Sequence, residues 1–209
     1  MRSYASHTRT RRNLETFRVF GWRILLTPQN PRPVEGLPFA IDNGAWRTHQ
    51  QKLPFDSDGF SRLVEMHGAA ADFIVVPDIV CGGLDSLEFS LSWLDRLKGL
   101  RLLLLPVQDG MSADDVGAVL RRNPGLGIFL GGSTEWKLRT MYGWGMVAHA
   151  LGCYYHVGRV NSRRRIRLAQ EAGADSVDGS SGTRYSVNVA KLDDAARQPS
   201  LLRPAVVHA

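Results

Sequence analysis

Leu102-Leu103-Leu104-Leu105-Pro106-Val107-Gln108-Asp109-Gly110 is followed by Met111-Ser112-Ala113-Asp114-Asp115-Val116-Gly117-Ala118-Val119-Leu120-Arg121-Arg122 and soon by Gly127-Ile128-Phe129-Leu130-Gly131-Gly132. This stretch decides the fold. The apolar run 102–107 has strand length and falls far short of the roughly 20 residues that cross a bilayer. Ser112 is placed to cap a helix over 112–122, and Asp114 and Asp115 suit the positive end of its dipole. Residues 127–130 are again a strand. Strand, helix and strand in this order imply a parallel pair joined by a right-handed crossover.

The same alternation extends in both directions. Strands are expected at 22–27, 38–41, 73–76, 154–157 and 175–177. Helices are expected at 55–70, capped by Asp56 or Ser57, and at 84–97, where Leu84, Leu87, Leu91, Leu94 and Leu97 recur every three to four residues. Further helices are expected at 135–151, interrupted near Gly143 and Gly145, at 162–172 and at 187–196. Seven or eight such units predict an α/β fold, a compact (β/α)8 TIM-like barrel over 18–209. The chain has 209 residues, against about 250 for this fold, which leaves room for one reduced unit. A doubly wound sheet is the alternative. Residues 1–17 are polar and basic and are expected to be a flexible arm.

Apolar residues make up 44% and charged residues 22%, as in an ordinary globular domain. The N-terminus has arginines but no apolar segment behind them, so no secretory signal is expected and a cytoplasmic location follows. Cys81 and Cys153 stand far apart and supply neither a disulfide framework nor a structural zinc site. The net charge is +6, and it is clustered: Arg2, Arg9, Arg11, Arg12, Arg18 and Arg23 in one group, Arg159, Arg163, Arg164, Arg165 and Arg167 in another. Such clusters are the footprint of a nucleic-acid binder, and arginine pairs with phosphate in bidentate fashion. A solvated surface is the plainer alternative.

In a barrel the active site lies at the C-terminal ends of the strands. Those stations read Asp42-Asn43-Gly44, Pro77-Asp78, Gln108-Asp109-Gly110, Gly131-Gly132-Ser133-Thr134, His156-Val157-Gly158-Arg159 and Asp178-Gly179. Asp-Gly and Asn-Gly also form ordinary turns. Recurrence at one structural station favours an acidic pocket, where carboxylates shift each other's pKa. Asp42, Asp78, Asp109 and Asp178 have no histidine pair at ligand spacing beside them, and no metal or cofactor is expected. The Gly131–Gly132 turn lacks the lysine of a phosphate-binding loop.

The ordered set Ala40-Ile41-Asp42-Asn43-Gly44-Ala45-Trp46, Val76-Pro77-Asp78, Val107-Gln108-Asp109-Gly110, Gly131-Gly132-Ser133 and Asp175-Ser176-Val177-Asp178-Gly179 resembles the tRNA-guanine transglycosylase superfamily. Within it, the set looks closest to the deazapurine DNA transglycosylases of phages and bacterial modification islands. The resemblance covers roughly residues 38–184. It implies a pentosyltransferase that replaces guanine in DNA with a free 7-deazaguanine base, in the host cytoplasm if phage-encoded. It implies Asp178 as nucleophile, Asp42 as proton shuttle, and Asp78, Gln108, Gly131 and Gly132 as base contacts, with Asn43 in the same motif as Asp42. Asp175 becomes a structural partner. Trp46 stacks on the base or serves the loop. Arg159, Arg163, Arg164, Arg11 and Arg12 hold the nucleic-acid backbone. The chain departs from the tRNA-acting members in lacking their zinc ligands and much of their length, which favours DNA. Ser133-Thr134-Glu135 also replaces an apolar pair, so base recognition differs. An N-glycosylase, a non-enzymatic nucleic-acid-binding barrel and a metal-dependent small-molecule enzyme are the alternatives.

Overall fold

Eight parallel strands close into a barrel in the computed structural model, which describes residues 1–197. The strands are β1 (Arg2–Ser6), β2 (Arg23–Leu26), β3 (Phe39–Ile41), β4 (Ile74–Val75), β5 (Leu103–Val107), β6 (Leu126–Leu130), β7 (Tyr155–Val157) and β8 (Ser176–Gly179). Each pairs with its sequence neighbours, and β8 pairs back onto β1. Around them lie α1 (Arg11–Phe20), α2 (Ala45–Gln50), α3 (Ser57–His67), α4 (Gly83–Leu91), α5 (Ala113–Arg122), α6 (Thr134–Ala150), α7 (Arg163–Glu171), the single turn α8 (Ser181–Arg184) and α9 (Val187–Arg197). This is the expected (β/α)8 architecture. The reduced unit is the second: a Pro-rich loop, with no helix, joins β2 to β3; in the fourth unit β4 has only two residues. Residues 198–209 of the predicted barrel lie outside the described residues.

The predicted flexible arm is corrected. Residues 2–6 are β1, with Ser3, Tyr4 and Ala5 buried, and α1 follows at once. The short polar run Arg-Ser-Tyr-Ala-Ser carries no apolar signature, yet it occupies the gap between β2 and β8. Without it the barrel would have two open edges, whose unpaired backbone groups need partners. Helix α1 is docked as firmly. Phe17 is buried and stacks on Trp22, and the Asn13 side chain donates to Thr183 O at 2.7 Å.

A second correction concerns α6, which runs unbroken through Gly143 and Gly145. A Cβ on Gly145 would lie 1.9 Å from Ala172 O. This glycine permits close packing on the end of α7 and does not end the helix.

Strand side chains alternate between two layers. Ile24, Leu26, Ile41, Leu105, Ile128, Val157 and Val177 belong to the core shared with the helices. Tyr4, Leu25, Ala40, Phe73, Val75 and Leu104, with Phe129 and Tyr154, form a separate inner cluster. At the N-terminal end the interior is closed by Asp72, which takes Arg23 at 2.5 Å and the Tyr4 hydroxyl at 3.1 Å. The opposite end is left for polar side chains. No helix among the described residues is long and apolar enough to cross a membrane.

Candidate active site

A cavity of about 280 Å³ opens at the C-terminal ends of the strands. Leu25, Val75 and Phe129 continue the inner apolar layer into it. Above them stand Ser6, Thr27, Asp42, Asp78, Gln108 and Asp178. These positions follow from the period of two: Asp42 is two residues beyond Ala40, Gln108 four beyond Leu104, and Asp178 two beyond Ser176. The volume is at the small end of ligand pockets.

Asp178 is buried, and both its oxygens are engaged. Oδ2 accepts from His156 Nε2 at 2.9 Å and Oδ1 from the Arg159 backbone N–H at 3.0 Å. A carboxylate can only accept, so the His156 hydrogen resides on Nε2. Nδ1 lies 2.7 Å from the Ser176 hydroxyl, which can either donate to it or accept from it. His156 is fully buried and stacked on Phe129, with centroids 5.0 Å apart and planes 15° from parallel. The histidine was not among the expected site residues. Its signal was in the sequence, since alternation along β7 points it inward opposite Ser176. Replacing His156 by phenylalanine keeps the stack and removes the hydrogen bond. Turnover should fall about a hundredfold from lost orientation, with KM little changed. An equal rise in KM without loss of kcat would show that His156 serves binding instead.

Asp42 differs from Asp178 in its surroundings. It accepts the Gly44 N–H at 2.7 Å. Burial pushes its carboxyl up to about 7; the Gly44 bond opposes this and the charges of Asp178 and Asp78 add to it. Asp78 is also pushed up, to about 6, by burial, against the hydrogen bonds from Asn43 and Gln108. Two of the three carboxyls thus hold or release a proton near neutrality, the condition for general acid–base work.

Asn43 and Gln108 are placed at the pocket, but their amides are spent on the protein. Asn43 Nδ2 donates to Asp78 Oδ1 and to Val76 O, each at 2.8 Å, while its Oδ1 accepts from Ala45 N at 2.9 Å. Gln108 Nε2 lies within hydrogen-bonding distance of Asp78 Oδ2 (3.1 Å), Ile79 O (2.9 Å) and Ser86 Oγ (2.6 Å), and Oε1 accepts from Cys81 N at 2.6 Å. Both residues clamp Asp78. With their amide hydrogens engaged in this way, each could offer a base only the remaining lone pair of its carbonyl oxygen.

Gly131 and Gly132 line the cavity. Gly132 has φ +71°, and a Cβ there would meet Asp109 Oδ2 at 2.6 Å and the Trp136 ring at 2.8 Å. Asp109 itself turns away to the Ser133 backbone N–H and hydroxyl, at 2.6 and 2.7 Å. Asp175 accepts from Tyr155 N at 2.8 Å, in the structural role expected of it.

Arg159, expected on the nucleic-acid backbone, lines the pocket, where its guanidinium lies 3.9 Å from the Trp46 ring centroid and donates to Gly132 O. Trp46 is 42% exposed, so one face of its ring carries this cation. Strands β3 and β7, which position the two residues, are opposite one another in the barrel order. Arg11, Arg12, Arg163 and Arg164 are exposed at the starts of α1 and α7, on the mouth side. Lys137, absent from the sequence-based set, is buried in α6 and donates to Gly158 O beside Arg159; burial lowers its amine to about 7. Among the described residues no group of three His, Cys, Asp or Glu is placed to hold a metal ion.

Fold and site together define a (β/α)8 barrel with a carboxylate-lined pocket at the C-terminal ends of its strands. Comparison with protein-family models and with curated proteins finds no match.

Proposed function

We propose that the protein is a base-exchange enzyme, a pentosyltransferase that replaces guanine in DNA with a 7-deazaguanine derivative. The observation that carries this is that one small pocket is lined by both a doubly hydrogen-bonded Asp178 and Asp42, whose carboxyl burial pushes up to about 7. Asp178 attacks the anomeric carbon as the glycosidic C–N bond breaks. The bonding electrons leave on guanine, and Asp42 supplies the proton that neutralises it. A glycosyl ester on Asp178 results, a covalent intermediate of the carboxylate type. The incoming deazaguanine gives its N–H proton to Asp42, attacks the same carbon and expels the Asp178 carboxylate, so no co-reactant is needed. Asp78, clamped by Asn43 and Gln108, has lone pairs remaining for the donors of a guanine edge. The target nucleotide leaves the base stack to enter.

The test is release of label from guanine-labelled DNA on addition of a 7-deazaguanine base. Release with incorporation of the new base is expected. Release that leaves an abasic site would make hydrolysis the reaction, and no release from DNA or tRNA by folded protein would overturn base chemistry altogether.

A further inference from the structure

The rim of the mouth is divided by charge. The connections after β7 and β1 carry Arg163, Arg164, Arg165 and Arg9, Arg11, Arg12, and the one after β8 carries Arg184. From strand end through the first helical turn, these three neighbouring connections contain no Asp or Glu. The connections after β4, β5 and β6 are the reverse. They bear Asp85, Asp114, Asp115 and Glu135, with no Lys or Arg except the buried Lys137. The connections after β2 and β3 are mixed, holding Arg32 with Glu35, and Arg47 and Lys52 with Asp56 and Asp58.

Local stability does not explain the basic side. A helix start favours acids, and α3 to α6 each place at least one there. The charged residues that open α1 and α7 are all arginines, against the helix dipoles. Arg12, Arg163 and Arg164 form no ion pair among the described residues, and Arg11 has only the exposed Glu15 at 2.8 Å. The basic arc is centred on β8, the strand of Asp178.

We propose that a single nucleic-acid strand reaches the pocket over the β7–β8–β1 side of the rim, and that a paired second strand is disfavoured by the β4–β5–β6 side. This rests on the base-exchange reading. A nucleotide whose base enters the pocket has its own phosphates on one side of the mouth, where the arginines match them. The partner backbone of a duplex would extend across the mouth over carboxylates, where like charges repel. The preferred substrate is therefore single-stranded or locally opened DNA.

Fluorescence anisotropy with a labelled single-stranded oligonucleotide and its duplex, over a range of salt, tests this on the full chain. The wild type should bind the single strand about tenfold more tightly. Arg163→Gln with Arg164→Gln should weaken that binding severalfold and lower the log–log salt slope by roughly 1.4, about 0.7 per lost phosphate contact. Asp85→Asn with Asp114→Asn should tighten the duplex and leave the single strand within about twofold. Equal affinity for both probes in the wild type, or an unchanged salt slope in the arginine variant, overturns the strand path. The expected pattern without base exchange would sink the exchange reading alone.

Discussion

Asp178→Asn should abolish the covalent intermediate and lower exchange by at least about 10³-fold, while the protein stays folded. An amide oxygen cannot form a stable glycosyl ester, so no protein–nucleic acid adduct should survive denaturation and mass spectrometry, whereas the wild type should yield one. The fold survives for a specific reason. The substituted side chain would still accept the Arg159 N–H through its amide oxygen and would turn its NH2 toward His156 Nε2. The ring can then change tautomer, because the Ser176 hydroxyl at 2.7 Å is able to accept from Nδ1–H as readily as to donate. The ¹⁵N shifts of His156 should report the exchange of donor and acceptor nitrogens. A variant that turns over normally, or that forms the adduct, would remove Asp178 from the role of nucleophile.

How much of this was legible beforehand depended on whether a residue's role is set by its own strand or by distant partners. The β5–α5–β6 unit is set locally, since an apolar run, a capping serine and first-turn acids follow one another along a short stretch of chain, and it folds as read. β1 is not set locally. Its Arg-Ser-Tyr-Ala-Ser becomes a strand because β2 and β8 need a partner, and no residue within it says so. The site divides in the same way. Strand-end position placed Asp42 and Asp178 at the mouth. It could not tell that Asn43 and Gln108 would spend their amides on Asp78, or that Arg159 would reach Trp46 from the far side of the barrel. Those contacts join residues far apart in the chain, and their geometry exists only after closure.

Replacing Asp42 with asparagine should make the protein more stable at alkaline pH and nearly inactive, a pair of effects that separates a functional carboxyl from a structural one. The sign follows from linkage. Asp42 is raised from an ordinary carboxyl value to about 7, chiefly by burial. Between those values the native state holds a proton that the unfolded chain has lost, so stability declines as pH rises toward 7, and the full cost is present above it. Asparagine removes that cost. At pH 8 it should add about 1–3 kcal/mol, the lower part of what a shift of this size implies because water still reaches the pocket. That corresponds to a melting-temperature rise of roughly 2–12 °C for a chain of this size. At pH 4 the two proteins should melt together. Exchange should fall by about 10²- to 10³-fold, since guanine then departs without a proton donor. In the wild type, cleavage of the glycosidic bond should decline above about pH 7 as Asp42 ionises. The residual activity of the variant should lack that limb. A variant whose pH profile matches the wild type would transfer the proton to another group, and Asp78, raised to about 6 and beside the same cavity, would be the next to replace.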